Sequence, residues 1–438
     1  MAATVSGFTQ VRHELDEFDL VLVTAPDMHG VARGRFIFKS SLKGFVKNGL
    51  GIAQASLFSG VQCDIPMVLV EYSQEGWASG TLIPDISTLR PLSYLSYGDK
   101  KVGQLICDYQ SFTGEREISM SREMALNQLQ NFRKLGLDIS MAFELEFSIF
   151  KKGTLLPVSL NENLDTLLNK LLTTLSESGI PVISVGRGTE AGKLQITIET
   201  QKGIEAADSL HRLRNILRSV CVSSGYDITY MTKPLPGFTK NRFHFIMTLS
   251  NEHESNILTN SNTDDSIGKL SEVGQQWAAG LLNYHSALTA LCRPTINCYS
   301  FGTEDTEISA SWTCNENLNT ARLHIGSTTK GTCIRDSLPT SACNPYIALG
   351  GLLTAGMAGI SNKMLLPLEM SAEEEVQHSL PEALDSLEKD ADFVNALGSK
   401  FVHRYIALKR EYETEKFKNK KDDVDSFEHE RSIYLHYL

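Results

Sequence analysis

Ser140-Met-Ala-Phe-Glu-Leu-Glu-Phe-Ser-Ile-Phe150 is the stretch from which the rest of the chain is read. Met141, Phe143, Leu145, Phe147 and Ile149 alternate with Ala142, Glu144, Glu146 and Ser148. A period of two predicts a strand. Residues two apart share a face, so Glu144 and Glu146 project together, roughly 7 Å apart at ~3.3 Å of rise per residue. The opposite face is apolar and suits packing on helices. Two neighbouring carboxylates raise each other's pKa unless a positive charge sits between them. A divalent cation held by oxygen ligands is the usual remedy. A solvent-facing pair is the ordinary alternative for an isolated Glu-x-Glu strand, so the pair gains meaning only from what the chain brings to it.

A chain of 438 residues exceeds one common hydrophobic core, which predicts two domains. With 42% hydrophobic and 21% charged residues it has the composition of a soluble globular protein. A net charge of -11 argues against nucleic acid, whose phosphates need a basic face. The eight cysteines include no CxxC pair, as expected of reduced thiols in the cytoplasm. The first twenty residues lack a signal pattern, and no run of about 18 apolar residues would span a membrane.

In chain order, Leu20-Val-Leu-Val-Thr24 and Gly34-Arg-Phe-Ile-Phe38 predict two strands about the turn Asp27-Met-His-Gly30, with His29 a structural turn residue. A short helix over 39–47, a strand-like stretch to Phe58 and strands at 84–91 and 102–108 complete a small α+β unit. Ser119 is expected to cap a helix over 122–135, and the domain boundary falls near residue 115, giving domains 1–115 and 116–438. In the second domain the spacing predicts alternating strands at 193–199 and 242–247. Helices are predicted over 163–178, 204–223 and 270–291, with a glycine- and alanine-rich helix over 344–360. Ser379-Leu-Pro-Glu382 reads as a capping box, and a charge-laced surface helix is expected over 404–421.

Several stretches, in order, resemble the glutamine synthetase family, bacterial type I. They are Asp27-Met-His-Gly30 with Arg33-Gly34, Phe143-Glu-Leu-Glu-Phe-Ser-Ile-Phe150, and Met231-Thr-Lys-Pro234 followed by His244. Pro294-Thr-Ile-Asn-Cys-Tyr299, Asn344-Pro-Tyr346 and Leu380-Pro-Glu-Ala-Leu384 follow. The resemblance implies an α+β fold, with an N-terminal β-grasp domain and a C-terminal catalytic domain built on a curved antiparallel sheet or partial barrel with helices. It also implies a homo-oligomer, a double-ring dodecamer, with sites at subunit interfaces. In the family, carboxylates and one histidine hold Mg²⁺ or Mn²⁺ against the phosphates of ATP. The γ-carboxylate of glutamate attacks the γ-phosphate, and ammonia then displaces phosphate.

Carried over residue by residue, that site is eroded. Glu144 and Glu146 match the metal-binding Glu-x-Glu strand, and His244 matches the metal histidine. The family's Gly-Gln-x-Glu reads Gly192-Lys-Leu-Gln195, which puts Gln195 at a metal carboxylate. Another metal glutamate falls at Arg187, with Glu190 as a displaced substitute. Glu-x-Arg-x-Pro-Asp reads Arg335-Asp-Ser-Leu-Pro-Thr340, so Arg335 replaces a metal glutamate and Ser337 an arginine for substrate or phosphate. The glycine loop before the metal histidine is Lys240-Asn-Arg242, and the second histidine of His-x-His is Ile246. Phe301, Asn319 and His324 stand at three further lost arginines, and Glu307 matches the flap glutamate.

Each lost arginine removes charge-assisted, often bidentate bonds. Loss of one transition-state donor alone typically costs about 10²–10³ in rate. The resemblance therefore implies a catalytically degenerate member of the family, with no cofactor expected and Mg²⁺, Mn²⁺ or ATP only as residual ligands. Such members imply a structural or chaperone-like role beside the cytoskeleton, of the kind found in lens fibre cells. An active ligase with an unusual amine and a nucleotide- or metabolite-binding sensor are the alternatives. Arg335 is expected within reach of Glu144 or Glu146, as a fixed cation in place of the metal.

Overall fold

Alternation of apolar and polar residues shapes the long strands of the computed structural model. It describes residues 15–64, 79–95, 98–111, 120–154, 156–188, 190–253, 255–259, 270–299, 309–315, 320–328, 331–371, 377–418 and 424–435. The expected boundary near 115 lies outside the described residues. A first sheet is built from β1 (Leu20–Pro26), β2 (Ala32–Phe38), β3 (Leu50–Ala53), β4 (Ser79–Pro91) and β5 (Val102–Ser111), in the order β2-β1-β5-β4-β3. Its central pair, β1 and β5, is parallel, and the other pairs are antiparallel. The Lys39–Asn48 helix buries Leu42 and Phe45 on this sheet, the arrangement of a β-grasp unit.

The second sheet has eight strands and curls into a half-barrel. These are β6 (Leu137–Lys151), β7 (Val182–Arg187), β8 (Lys193–Lys202), β9 (Tyr226–Thr229), β10 (Phe243–Asn251), β11 (Ser309–Thr313), β12 (Ala321–Thr328) and β13 (Gly331–Asp336). Their order is β11-β12-β13-β10-β6-β8-β7, with β9 paired to the end of β6. Met141, Phe143, Leu145, Phe147 and Ile149 are all fully buried, as the alternation requires of the helix-covered face. The Ser121–Lys134, Ile204–Ser223 and Pro345–Ser361 helices contribute to one core that runs on into the first sheet. Close backbone approach explains Gly359 of the last and Gly280 of the helix packed against it. A Cβ at Gly359 would meet the Gln276 carbonyl at 2.1 Å, and one at Gly280 would meet the Ala355 carbonyl at 2.3 Å. Among the described residues no helix is long and apolar enough to cross a membrane.

Four local expectations change. The stretch leading to Phe58 leaves the strand at Ala53, and a helical turn over Ala55–Phe58 buries Leu57 and Phe58. The helix expected from 122 begins at Ser121 behind an uncapped Met120, while Ser119 lies outside the described residues. The Ser121 hydroxyl instead donates to the carbonyls of Pro26 and Asp27. The helix expected over 270–291 divides into Glu272–Asn283 and His285–Cys292. Buried Arg322 takes the Leu281 carbonyl at 2.5 Å, the acceptor that a continuing helix would offer to the His285 N–H. The expected surface helix over 404–421 is in fact Ser399–Lys409 followed by a π-helical turn, Arg410–Glu415. Lys409 and Glu413 are not solvated: they pair at 3.6 Å with 2% of each side chain exposed, and Tyr434 donates to Glu413. His29 is buried beside Lys409 at 3.3 Å, and burial, with the Lys409 charge adding to it, holds its pKa well below the ordinary value.

The first sheet is joined to the helices of the second at Arg122. Its guanidinium donates to Asp208 of the Ile204–Ser223 helix through two bonds of 2.9 Å, to Asp85 of β4 at 2.8 Å and to Asp108 of β5. The Tyr346 hydroxyl donates to Asp208 at 2.7 Å. Arg122 has 1% of its side chain exposed and Asp208 3%, so removing the cation would strand buried negative charge. Such a loss typically costs ~3–5 kcal/mol. Arg122→Met is expected to lower stability by about that amount in urea unfolding, whereas Asp85→Asn, at a carboxylate 27% exposed, costs much less. Equal costs for the two variants would refute the idea that Arg122 is the joint.

Candidate functional site

Strand register brings distant polar residues onto one face of the second sheet. His244 in β10 lies opposite Glu144 in β6, and Gln195 in β8 lies opposite Glu146. Arg335 in β13 lies opposite His324 in β12 and Ile246 in β10. Ser148 and Lys193 face each other one step further along the same row. Because this face excludes the apolar residues of β6, the polar side chains that alternate with them converge there. Ser337 sits just beyond the end of β13, half-buried, with its N–H on the Arg322 carbonyl at 3.0 Å. Phe301, Glu307 and Asn319 lie outside the described residues.

Arg335 donates through Nη2 to Glu144 Oε2, and His244 Nδ1 lies 3.2 Å from the same oxygen. An ionised carboxylate only accepts, so the imidazole proton belongs on Nδ1. The 3.3 Å approach of Arg335 to that nitrogen is then a contact, not a second bond. The His244 hydrogen bond and the Arg335 charge, acting against partial burial, hold Glu144 down at about 2. Burial above all, with the Arg335 charge adding to it, keeps the His244 pKa below its ordinary value despite the Glu144 carboxylate. Glu144 is therefore charged and His244 neutral at pH 7.

Glu146 has other partners. The main-chain N–H of Arg242 reaches its Oε2 at 2.8 Å, and the ammonium of Lys193 lies 3.8 Å from the same atom. Lys193 also lies 3.2 Å from Glu190, with only 3% of its side chain exposed. Sequence reasoning placed Lys193 on the right face of the right strand without giving it a role. The available signal was its position directly after Gly192, where the family motif has a neutral glutamine. Glu190 accepts the N–H of Thr239 at 3.1 Å and its hydroxyl at 2.8 Å. Arg187 is exposed and donates to the carbonyls of Leu160 and Glu162. Gln195 is half-buried beside these charges and His324 is buried opposite Arg335. Of the cysteines near the mapped site, Cys298 and Cys333 are buried and Cys314 is exposed, and all are free thiols.

A depressed carboxylate pKa stabilises the fold wherever the unfolded chain would still be ionised. The contribution of Glu144 is complete above its ordinary value of 4.5 and is lost as pH falls towards about 2. Because the group is partly solvated, the effect is modest. Glu144→Gln is expected to lower the neutral plateau of the stability curve modestly and to flatten its acid limb between pH 4.5 and pH 2, so that the two proteins converge towards pH 2. An unaltered acid limb, measured by thermal unfolding across that window, would rule out the pairing as its source.

This geometry has recognisable relatives. The family model described as glutamine synthetase, catalytic domain, matches residues 119–429. Lengsin of Canis lupus familiaris is 28% identical over 378 residues, covering 82% of this chain and 63% of its own length. The chain thus spans less than two thirds of that relative. A glutamate–isopropylamine ligase of Pseudomonas sp. is 24% identical over 382 residues, covering 80% of each chain. Among solved structures, one described as a novel glutamine synthase homolog superposes with a TM-score of 0.83 at 22% identity, covering 95% of this chain and 99% of that one. The match over the whole second sheet and its helices is more than half of the sequence, and the chain belongs to the glutamine synthetase family.

Proposed function

We propose that this chain is a catalytically degenerate member of the family, a glutamine-synthetase-fold pseudoenzyme with a structural or chaperone-like role. Its similarity to lengsin supports that class, and a cytoskeletal, intermediate-filament-like partner is the corresponding proposal. The observation that carries the reading is the pair of protein cations at the two carboxylates: Arg335 on Glu144 and Lys193 beside Glu146.

Mg²⁺ or Mn²⁺ needs several oxygen ligands of summed negative charge. Here Glu144 Oε2 is already shared by Arg335 and His244, and Gln195 contributes no charge. Among the described residues no group of three His, Cys, Asp or Glu side chains is placed to hold a metal. A divalent cation beside Arg335 and Lys193 would add repulsion instead of relieving it. The residues present do not fit the family's metal ions, and no reaction step is derived through them.

The second reading is an active ligase on an unusual amine. It is favoured by the retained Glu144, Glu146 and His244 and by the similarity to a glutamate–isopropylamine ligase. Phosphate release from ATP with glutamate and either ammonia or isopropylamine separates the two. No release above blank is expected, and calorimetry with ATP and Mn²⁺ is expected to be silent. Release with either amine would overturn the degenerate reading, and nucleotide binding without release would favour a sensor.

Arg335→Glu restores the acidic residue of the family motif. It is expected to lower the Tm without metal by about 2 °C or more, and Mn²⁺ should recover part of that loss while leaving the wild type nearly unshifted. A strong Mn²⁺ shift in the wild type would sink the internal-cation idea. For assembly we propose a homo-oligomeric double ring, a dodecamer, stable without metal. A single-chain mass by light scattering at micromolar concentration is the contrary result.

A further inference from the structure

Lys193 is buried, yet its ammonium is surrounded by oxygen. It lies 2.6 Å from the Thr239 hydroxyl, 3.0 Å from the Lys240 carbonyl and 3.3 Å from the Thr239 carbonyl. Glu190 approaches at 3.2 Å and Glu146 at 3.8 Å. An ammonium carries three donors and no acceptor, so hydroxyl, carbonyl and carboxylate oxygens satisfy it fully. Two carboxylates offset the cost of burying its charge. Oxygens from both side chains and main chain, with net negative charge, are the surroundings that a hard cation requires.

Every residue of the segment 239–242 is held against the polar face. Glu190 accepts the N–H and hydroxyl of Thr239, and Lys193 takes the Lys240 carbonyl. Asn241 accepts the Ser148 hydroxyl at 3.0 Å, donates its side-chain amide to the Met231 carbonyl at 2.8 Å, and donates its N–H to the Thr232 carbonyl at 2.7 Å. Arg242 donates its N–H to Glu146. Only one of these anchors, the Lys193 ammonium, touches both the loop and the two carboxylates.

We infer that Lys193 is a tethered cation: its ammonium fills an oxygen cage formed by Glu146, Glu190 and the 239–242 loop, and latches that loop onto the polar face. A primary ammonium is the ligand chemistry of this cage, and the protein supplies it from its own chain. The latch does not depend on the loss of ligase activity, so the phosphate-release assay and the experiment below fail separately.

Lys193→Ala empties the cage by the length of propylamine. Amide exchange at Thr239 and Arg242 is expected to rise about tenfold as the loop opens locally. Propylammonium should restore protection, while tetramethylammonium, which has no N–H, should not. Unchanged exchange in the variant, or equal rescue by both cations, would overturn the latch. Glu190→Ala decides the matter alone if Lys193→Ala does not fold, since Glu190 is at the solvent-facing side of the cage with 27% of its side chain exposed. It should speed exchange at Thr239 and leave Ile139 and Met141 of β6 as they were. Unchanged exchange at Thr239 refutes the proposal.

Discussion

One guanidinium ties the first sheet of this protein to the helices that pack on the second. Arg122 cannot be buried without anions, and the anions it finds come from β4, from β5 and from the Ile204–Ser223 helix. Desolvation penalises every member of such a cluster, and only the full set of bonds offsets it. The first sheet and the Ile204–Ser223 helix therefore cannot shift against each other without leaving charge unpaired. The burial of Arg122 raises its cost and the three carboxylates more than compensate, holding its pKa well above the ordinary arginine value. The polar face of the second sheet inherits its setting from that joint.

A second buried pair fixes the far side of the same sheet. Arg322 of β12 and Asp336 of β13 meet at 2.8 Å with neither side chain exposed. Asp336 directly follows Arg335, and neighbours on a strand point to opposite faces. Binding Asp336 beneath the sheet therefore turns Arg335 upward, towards Glu144. The partner of Glu144 is in this sense selected by an ion pair on the other face. A small shift in β13 would break both contacts at once, which couples the core to the polar face.

On that face Glu144, Glu146 and Glu190 each have a protein cation beside them. Glu144 has Arg335 and neutral His244, whereas Glu146 and Glu190 have Lys193 and loop amides. Where a metal site concentrates negative charge and lets an ion neutralise it, here Arg335 serves one carboxylate and Lys193 two. The 239–242 segment is held by Glu190, Lys193, Ser148 and Glu146, of which only Glu146 belongs to the carboxylate pair that the strand pattern marked.

Within the sequence, the period of two in 140–150 determined β6, its buried face and the adjacency of Glu144 and Glu146, because alternation on a strand is a local property. Motif order likewise made the family and the α+β fold legible, and the charge reversal at Arg335 was visible as a misplaced residue. Which side chain neutralises which carboxylate was decided by tertiary structure. Arg335 is 191 residues from Glu144, and only the β6-β10-β13 register brings them together. Lys193 gave no sign of its cage, since three of its oxygens belong to a loop 46 or 47 residues away. The buried Lys409–Glu413 pair looked like a solvated helix face for the same reason. Local spacing reports which face a residue is on, while the charge it meets there depends on chain segments brought in from far along the sequence.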